Sequence, residues 1–163
     1  MTADVQFAIV DPIARDRSEP APPDKPLVNP VSGLANDYLN LFNELVMMLE
    51  QLPQMPELID DLLAWRPETY RDYFERSQLS GRLNALAAYE RLDPIFRRRF
   101  EAYVAELDTI AVASVAAVRL HYRHGAPQDL SRVAGTCARA GEKMRAILTR
   151  CSRLVNYGKY GDE

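Results

Sequence analysis

Apolar residues recur at alternating intervals of three and four positions along three stretches of the chain. This heptad spacing places them on one face of an α-helix, so it predicts three long helices. The first begins near Ser32 or Gly33 and stops at Pro53, because proline cannot continue a helix. Its apolar face consists of Leu34, Tyr38, Leu41, Phe42, Leu45, Val46, Met48, Leu49 and Leu52.

The second and third long helices have clear terminal signals. Asp93 is a favoured N-cap, Pro94 is a favoured first residue, and Gly125 is a suitable stop. The third helix begins after Pro127 and ends near residues 157–158. Since the connection between them is short, we expect an antiparallel helical hairpin. The heptad positions are Phe96, Phe100, Tyr103, Leu107, Ile110, Ser114, Ala117 and His121, then Leu130, Val133, Cys137, Ala140, Met144, Ile147, Cys151 and Leu154.

The second half of the middle helix is apolar on nearly every side, in the run Ala111–Val118 (AVASVAAV). Helices without a polar face are normally buried. We therefore expect this half of the helix to lie in the middle of the bundle.

Shorter helices are predicted between the first and second long ones. They begin near Pro56 and Pro67 and, with Ser80 as a cap, at the segment that ends near Leu92. The predicted fold class is therefore all-α, with a single helical-bundle domain over residues 31–157. Six prolines within residues 1–30 predict an extended N-terminal arm, and residues 158–163 form a C-terminal tail.

The 163 residues carry a net charge of −3, which disfavours a generally basic nucleic-acid-binding protein. The charge is uneven along the chain. Residues 1–93 contain 8 basic and 16 acidic side chains, a net of −8, whereas residues 94–163 contain 12 and 7, a net of +5. We expect the two halves to neutralise one another in the fold.

The cysteines and the chain start bear on the cellular compartment. Cys137 and Cys151 lie about 21 Å apart on one predicted helix, too far for a disulfide. Residues 1–12 lack the basic flank and apolar run of a signal peptide. The run Thr109–Val118 is too short to span a bilayer. These features predict a cytoplasmic protein with no membrane segment.

The two histidines offer one alternative function. His121 and His124 are spaced H-x-x-H, which places both on one face of a helix beside Tyr122. This pair could contribute to a metal or small-ligand site at the bundle end, but two ligands do not complete one. The sequence contains no Glu-x-x-His and no His-Glu-x-x-His. A structural histidine near a helix C-terminus is the simpler interpretation.

Catalytic motifs are missing from the sequence. It contains no Gly-x-Ser-x-Gly, no dinucleotide-binding glycine pattern and no phosphate-binding P-loop. Both cysteines fall on the predicted buried face of the last helix. We therefore favour a function without catalysis and without a cofactor.

Basic residues recur on one face of the last helix at intervals of 7, 4, 7 and 3 positions. Such a stripe could contact phosphates, so nucleic-acid binding is a second alternative. A solvated face, or pairing with the acidic first half, is the simpler interpretation. The stripe consists of Arg132, Arg139, Lys143, Arg150 and Arg153.

The segment Trp65–Phe74 concentrates aromatic rings and arginines, the residue types that dominate binding hot spots. The rings could instead close one end of the bundle. We predict an interaction surface here, formed by Trp65, Arg66, Tyr70, Arg71, Tyr73 and Phe74. The main hypothesis is thus a non-enzymatic interaction or regulatory protein that binds a protein partner, or forms a homodimer, through its helix faces.

Overall fold

The computed structural model describes residues 26–160, and that part of the chain folds into six α-helices without a β-strand. The all-α fold class predicted from the apolar spacing is confirmed. Short 3-10 turns precede α1 and α2 and follow α6. The helices are α1 (Asn40–Gln51), α2 (Ile59–Ala64), α3 (Tyr70–Arg76), α4 (Arg82–Glu90), α5 (Pro94–His121) and α6 (Leu130–Tyr157).

The predicted arm and tail lie mostly outside the described residues. Where the arm is described, Leu27 and Val28 pack against the core, and the Asn29 side chain accepts a hydrogen bond from the Val31 backbone N–H at 2.9 Å. At the other end, Gly158–Tyr160 form a 3-10 turn. The Gly158 backbone packs closely against the Val31 carbonyl oxygen, so both ends of the described chain meet at the same end of the bundle.

The first long helix starts later than the sequence predicts. Gly33 has a φ of +76°, a left-handed conformation that a helix cannot contain, and the Ser32 hydroxyl accepts a hydrogen bond from the Leu34 backbone N–H. The chain therefore turns at residues 32–34. It enters α1 through the 3-10 turn Asn36–Leu39.

Two of the predicted starts of short helices are also displaced. The helix expected at Pro67 begins at Tyr70, where the Thr69 side chain provides the N-cap. The predicted Ser80 cap is wrong, because Gly81 occupies the position before α4 with a φ of +83° and without a side-chain cap. Both shifts move a helix start by a few residues and leave the element order unchanged.

The two longest helices form the predicted hairpin, and their contact is the most extensive in the fold. Asp93 caps α5 by accepting hydrogen bonds from the backbone N–H groups of Ile95 and Phe96, both at 3.0 Å. Asp129 caps α6 in the same way. Helix α1 packs against α6, whereas α2 and α1 contact α5. Near its start, α5 also packs through Phe100 against Tyr70 of α3 and Tyr89 of α4.

The core runs between α1, α5 and α6. Both cysteines are buried and free, as expected from their spacing. Burial raises the pKa of the Cys151 thiol to about 12, so this thiol is protonated and unreactive at neutral pH. The buried residues of α6 are Val133, Cys137, Ala140, Gly141, Met144, Ile147, Leu148, Cys151, Leu154 and Val155.

The second half of α5 is not in the middle of the bundle, contrary to the prediction. Val112 is 51% exposed and Leu120 is 66% exposed. The side chains of Ala113 and Ala116 are exposed as well. In this half of α5, only one side of the helix is buried. The buried residues from Leu107 onward are Leu107, Ala111, Ser114, Val115 and Val118.

Candidate interaction surface

The aromatic segment 65–74 belongs to the core. Phe74 is fully buried, Tyr70 is 3% exposed and Trp65 is 7% exposed, so these three members of the predicted interaction surface expose little of their rings. Tyr73 is half-buried against the same core. The rings close one end of the bundle, which leaves them little area for contact with another molecule.

The polar groups of Trp65 and Tyr70 form hydrogen bonds inside the fold, which allows both rings to be buried. The Trp65 indole donates a hydrogen bond to the Leu41 carbonyl at 2.9 Å, and the Tyr70 hydroxyl accepts one from the Ala35 backbone N–H at 3.0 Å. Desolvation raises the pKa of Tyr70 to about 12. Tyr70 also stacks on Tyr89 with ring centroids 4.5 Å apart. The indole N–H of Trp65 and the hydroxyl of Tyr70 are thus both hydrogen-bonded within the fold.

The two arginines of this segment also bind the protein itself. Arg66 donates to the carbonyl oxygens of Leu63 and Trp65, at 2.9 and 2.8 Å, which closes the C-terminal end of α2. Arg71 forms an ion pair with Glu90, so it ties α3 to α4. Although both side chains are exposed, their contacts are structural.

The structure separates the two histidines in their roles. The His121 Nε2 atom lies 2.9 Å from the Thr136 hydroxyl, so this ring links α5 to α6. His124 is exposed in the connection that follows α5. Tyr122 is partly buried against the core. Within residues 26–160, no three potential ligands among histidine, cysteine, aspartate and glutamate come close enough to hold a metal ion.

Two residues of the predicted basic stripe form ion pairs. Arg150 lies 3.5 Å from Glu106 on α5, and Arg132 lies 3.6 Å from Asp129, the residue that caps its own helix. Both side chains are more than half exposed, so these pairs contribute little stability. They do reduce the positive charge available at these two positions.

The middle of the stripe is different. Arg139 and Lys143 are exposed, and neither forms an ion pair with another residue in the described part of the chain. Arg153 is also exposed at the far end of α6. Arg139 and Lys143 are therefore the central cations of the stripe.

One ion pair of the described chain joins the acidic first half of the sequence to the basic second half, where α1 meets α6, whereas pairs such as Arg71–Glu90 and Arg150–Glu106 lie within one half. Arg145 binds Glu50 through two hydrogen bonds of 2.6 Å, and the Arg145 guanidinium lowers the pKa of the Glu50 carboxyl. The pair Arg76–Glu68, by contrast, lies within the first half. Arg139 and Lys143 point away from α1 and do not take part in this pairing.

We call the exposed apolar residues of α5 the outer strip: Val112, Ala113, Ala116 and Leu120. Their spacing places them on one face of the helix, opposite the buried side. The sequence from Thr109 to His121 contains no aspartate or glutamate. Exposed apolar residues that adjoin along one face, as these do, are typical of an interaction site.

Sequence reasoning missed this strip because it took an apolar helix for a buried one. One signal could have separated the two sides. The inward positions include Leu107, Val115 and Val118, whereas three of the outward ones are alanines, at Ala105, Ala113 and Ala116. Small side chains at outward positions lower the apolar area on that side, which is a weak sign that the helix packs on one side within its own chain.

No helix between residues 26 and 160 has both the length and the apolar character needed to cross a membrane. Comparison with protein-family models, with curated proteins and with solved structures gives no match for this chain. The functional argument therefore depends on the geometry of its own residues.

Proposed function

We propose that the protein is a non-enzymatic interaction module that binds another protein through the outer strip of α5. The observation that supports this most is the exposure of Val112 and Leu120, at 51% and 66%, on a stretch of α5 that carries no acidic residue from Thr109 to His121. The centre of a protein interface is apolar and depleted in charge, which matches this face.

The rigidity of the surface also supports the proposal. The outer strip lies on a 28-residue helix that packs against α6 along its inward side. A surface held by regular secondary structure loses little conformational freedom on binding, because its backbone is already ordered. The strip therefore suits a partner that binds to the face of a helix.

The proposal includes a cytoplasmic location, where the buried, free Cys137 and Cys151 would stay reduced. It includes self-association as one form of the same function. The metal-binding alternative has less support, since His121 already bonds to Thr136.

A photo-crosslinking experiment tests the proposal. The residue p-benzoylphenylalanine is placed at Ala116 in the outer strip, or at Ala87, an exposed alanine on α4, as a matched control. We expect a discrete adduct from position 116 that is absent from position 87. Val112→Glu should abolish the adduct, because it places a charge in the apolar contact.

The mass of the adduct shows whether the partner is a second copy of the 18.5 kDa chain. Purified partner must then reproduce the adduct. Identical adducts from both positions, or none from position 116, would contradict the proposal. Circular dichroism of the Val112→Glu variant checks that the fold is retained.

A further inference from the structure

The charges along the α5–α6 groove follow a fixed antiparallel register. The contact between Glu106 and Arg150, at 3.5 Å, marks one point of it, and the bond between His121 and Thr136 marks another. Steps of seven and then four residues forward from Glu106 reach two further α5 positions, Ala113 and Ala117. The same steps backward from Arg150 reach Lys143 and Arg139.

This register decides what each cation of the stripe faces. Arg150 faces Glu106, but Lys143 lies opposite Ala113, and Arg139 lies opposite Ala117. The stripe therefore has an acidic neighbour on α5 at its first position and alanines at the next two. Lys143 and Arg139 are left without a neutralising partner on the helix beside them.

The nearby acid on α6 does not change this. Glu142 lies on the side of α6 that points away from the buried residues, about 60° around the helix from Arg139 and about 100° from Lys143. No ion pair joins it to either residue within the described chain. Thus the two central cations border the groove, and Glu142 borders open solvent.

The opposite flank of the outer strip is also basic. Arg119 lies there, with its guanidinium donating to the Leu63 carbonyl at 3.1 Å. The strip is therefore an apolar band between basic residues, Lys143 and Arg139 on one side and Arg119 on the other.

We propose that the outer strip of α5, together with Lys143 and Arg139 on α6, binds an amphipathic helix of another protein whose apolar face is flanked by aspartate or glutamate residues. The inference rests on the proposed function and gives the partner its chemistry. The apolar face covers Val112, Ala116 and Leu120, and the acidic flank meets Lys143 and Arg139. Helix-in-groove binding of this kind uses anchors spaced three and four residues apart.

The surface fits a helix better than the other polyanions. Nucleic-acid affinity comes mainly from phosphate contacts, and those would leave the apolar band between the cations unused. Membrane-surface helices carry large anchors such as tryptophan and phenylalanine, whereas the strip contains two alanines. A band of small residues between basic residues instead admits a second helix at close range.

Two designed peptides of about 20 residues test the inference by fluorescence anisotropy with the full chain. Both have the same leucine and alanine face, flanked by glutamates in one and by lysines in the other. We expect the acidic peptide to bind in the micromolar range and the basic peptide at least about tenfold more weakly. Raising the salt concentration should reduce the difference.

Matched charge reversals locate the site. Arg139→Glu with Lys143→Glu should weaken the acidic peptide by about tenfold or more and strengthen the basic one. Arg91→Glu, an exposed residue at the other end of α5, should change neither affinity. Circular dichroism confirms that the variants fold.

Several outcomes would overturn the inference. Equal binding of both peptides that is lost in Val112→Glu would retain the proposed function but remove the acidic specificity. Absence of peptide binding, together with absence of a photo-adduct at position 116, would remove both. Tighter binding to phosphatidylglycerol vesicles or to duplex DNA than to the acidic peptide would assign the surface to those ligands. A dimer by light scattering that Val112→Glu dissociates would assign it to a second copy.

Discussion

Two segments of this chain show burial opposite to that predicted from their composition. The segment 65–74 mixes rings with charged residues, yet Trp65, Tyr70 and Phe74 are buried. The outer strip of α5 contains no charge, yet Val112 and Leu120 are more than half exposed. Composition alone therefore gives the wrong location for both segments: exposed for residues 65–74 and buried for the outer strip.

The difference lies in the neighbours that each segment meets. The rings contact α1, α4 and α5, and the Leu41 carbonyl of α1 and the Ala35 backbone N–H before it satisfy the indole of Trp65 and the hydroxyl of Tyr70. The second half of α5 is buried along one side only. Burial is therefore decided by how many elements surround a segment, and local hydrophobicity does not report that number.

The largest test of this comparison is Trp65→Ala. It removes a 7%-exposed ring that packs against Phe42 and leaves the Leu41 carbonyl without its donor. We expect a loss of about 3–5 kcal/mol in the free energy of unfolding, measured by urea denaturation. Trp65→Phe, which keeps a ring, should lose less, about 1–2 kcal/mol.

A loss below about 1 kcal/mol for Trp65→Ala would mean that the ring is outside the core. The segment would then be available as the interaction surface that its composition suggests.

A second test uses the boundary between the two sides of α5. Asp108 lies at the edge of the buried side, and its Oδ1 atom is buried without a hydrogen-bond partner in the described chain. Desolvation raises the pKa of this carboxyl above its ordinary value. Asp108→Asn should therefore stabilise the fold at pH 7 by about 1 kcal/mol, measured by thermal denaturation.

The pH dependence of this effect has a definite sign. The folded state holds the Asp108 proton more tightly than the unfolded state, so stability falls as pH rises from about 3.9 towards the raised pKa. Above that pKa the penalty is constant. The advantage of Asp108→Asn should therefore shrink as pH drops and be small below about 3.9. An advantage that is equal at every pH would contradict the assignment.

The sequence predicted the long helices well where their ends have chemical signals. Asp93 and Pro94 start α5 as predicted, and the heptad positions of α6 from Val133 to Leu154 are buried. The start of α1 was not predictable in the same way. It depends on the turn at Gly33, whose positive φ is a property of the folded backbone rather than of the apolar pattern.

The candidate site was predictable only in part. The basic stripe could be read from its spacing, but the alanines opposite Lys143 and Arg139 become visible only once α5 and α6 are aligned. That alignment is set by the contacts Glu106–Arg150 and His121–Thr136. The register between two helices depends on how their side chains pack, and it cannot be derived from the apolar pattern of a single sequence.

The smallest expected effect on stability concerns the exposed residues of the outer strip. The double substitution Val112→Ala with Leu120→Ala removes two exposed side chains and introduces the residue with the highest helix propensity. The free energy of unfolding should change by less than about 0.5 kcal/mol, while affinity for the acidic peptide falls by about tenfold. Urea denaturation at two protein concentrations and fluorescence anisotropy measure the two quantities. A stability loss above about 2 kcal/mol that depends on protein concentration would show that the outer strip is already covered by a second copy, because only an associated state links stability to concentration.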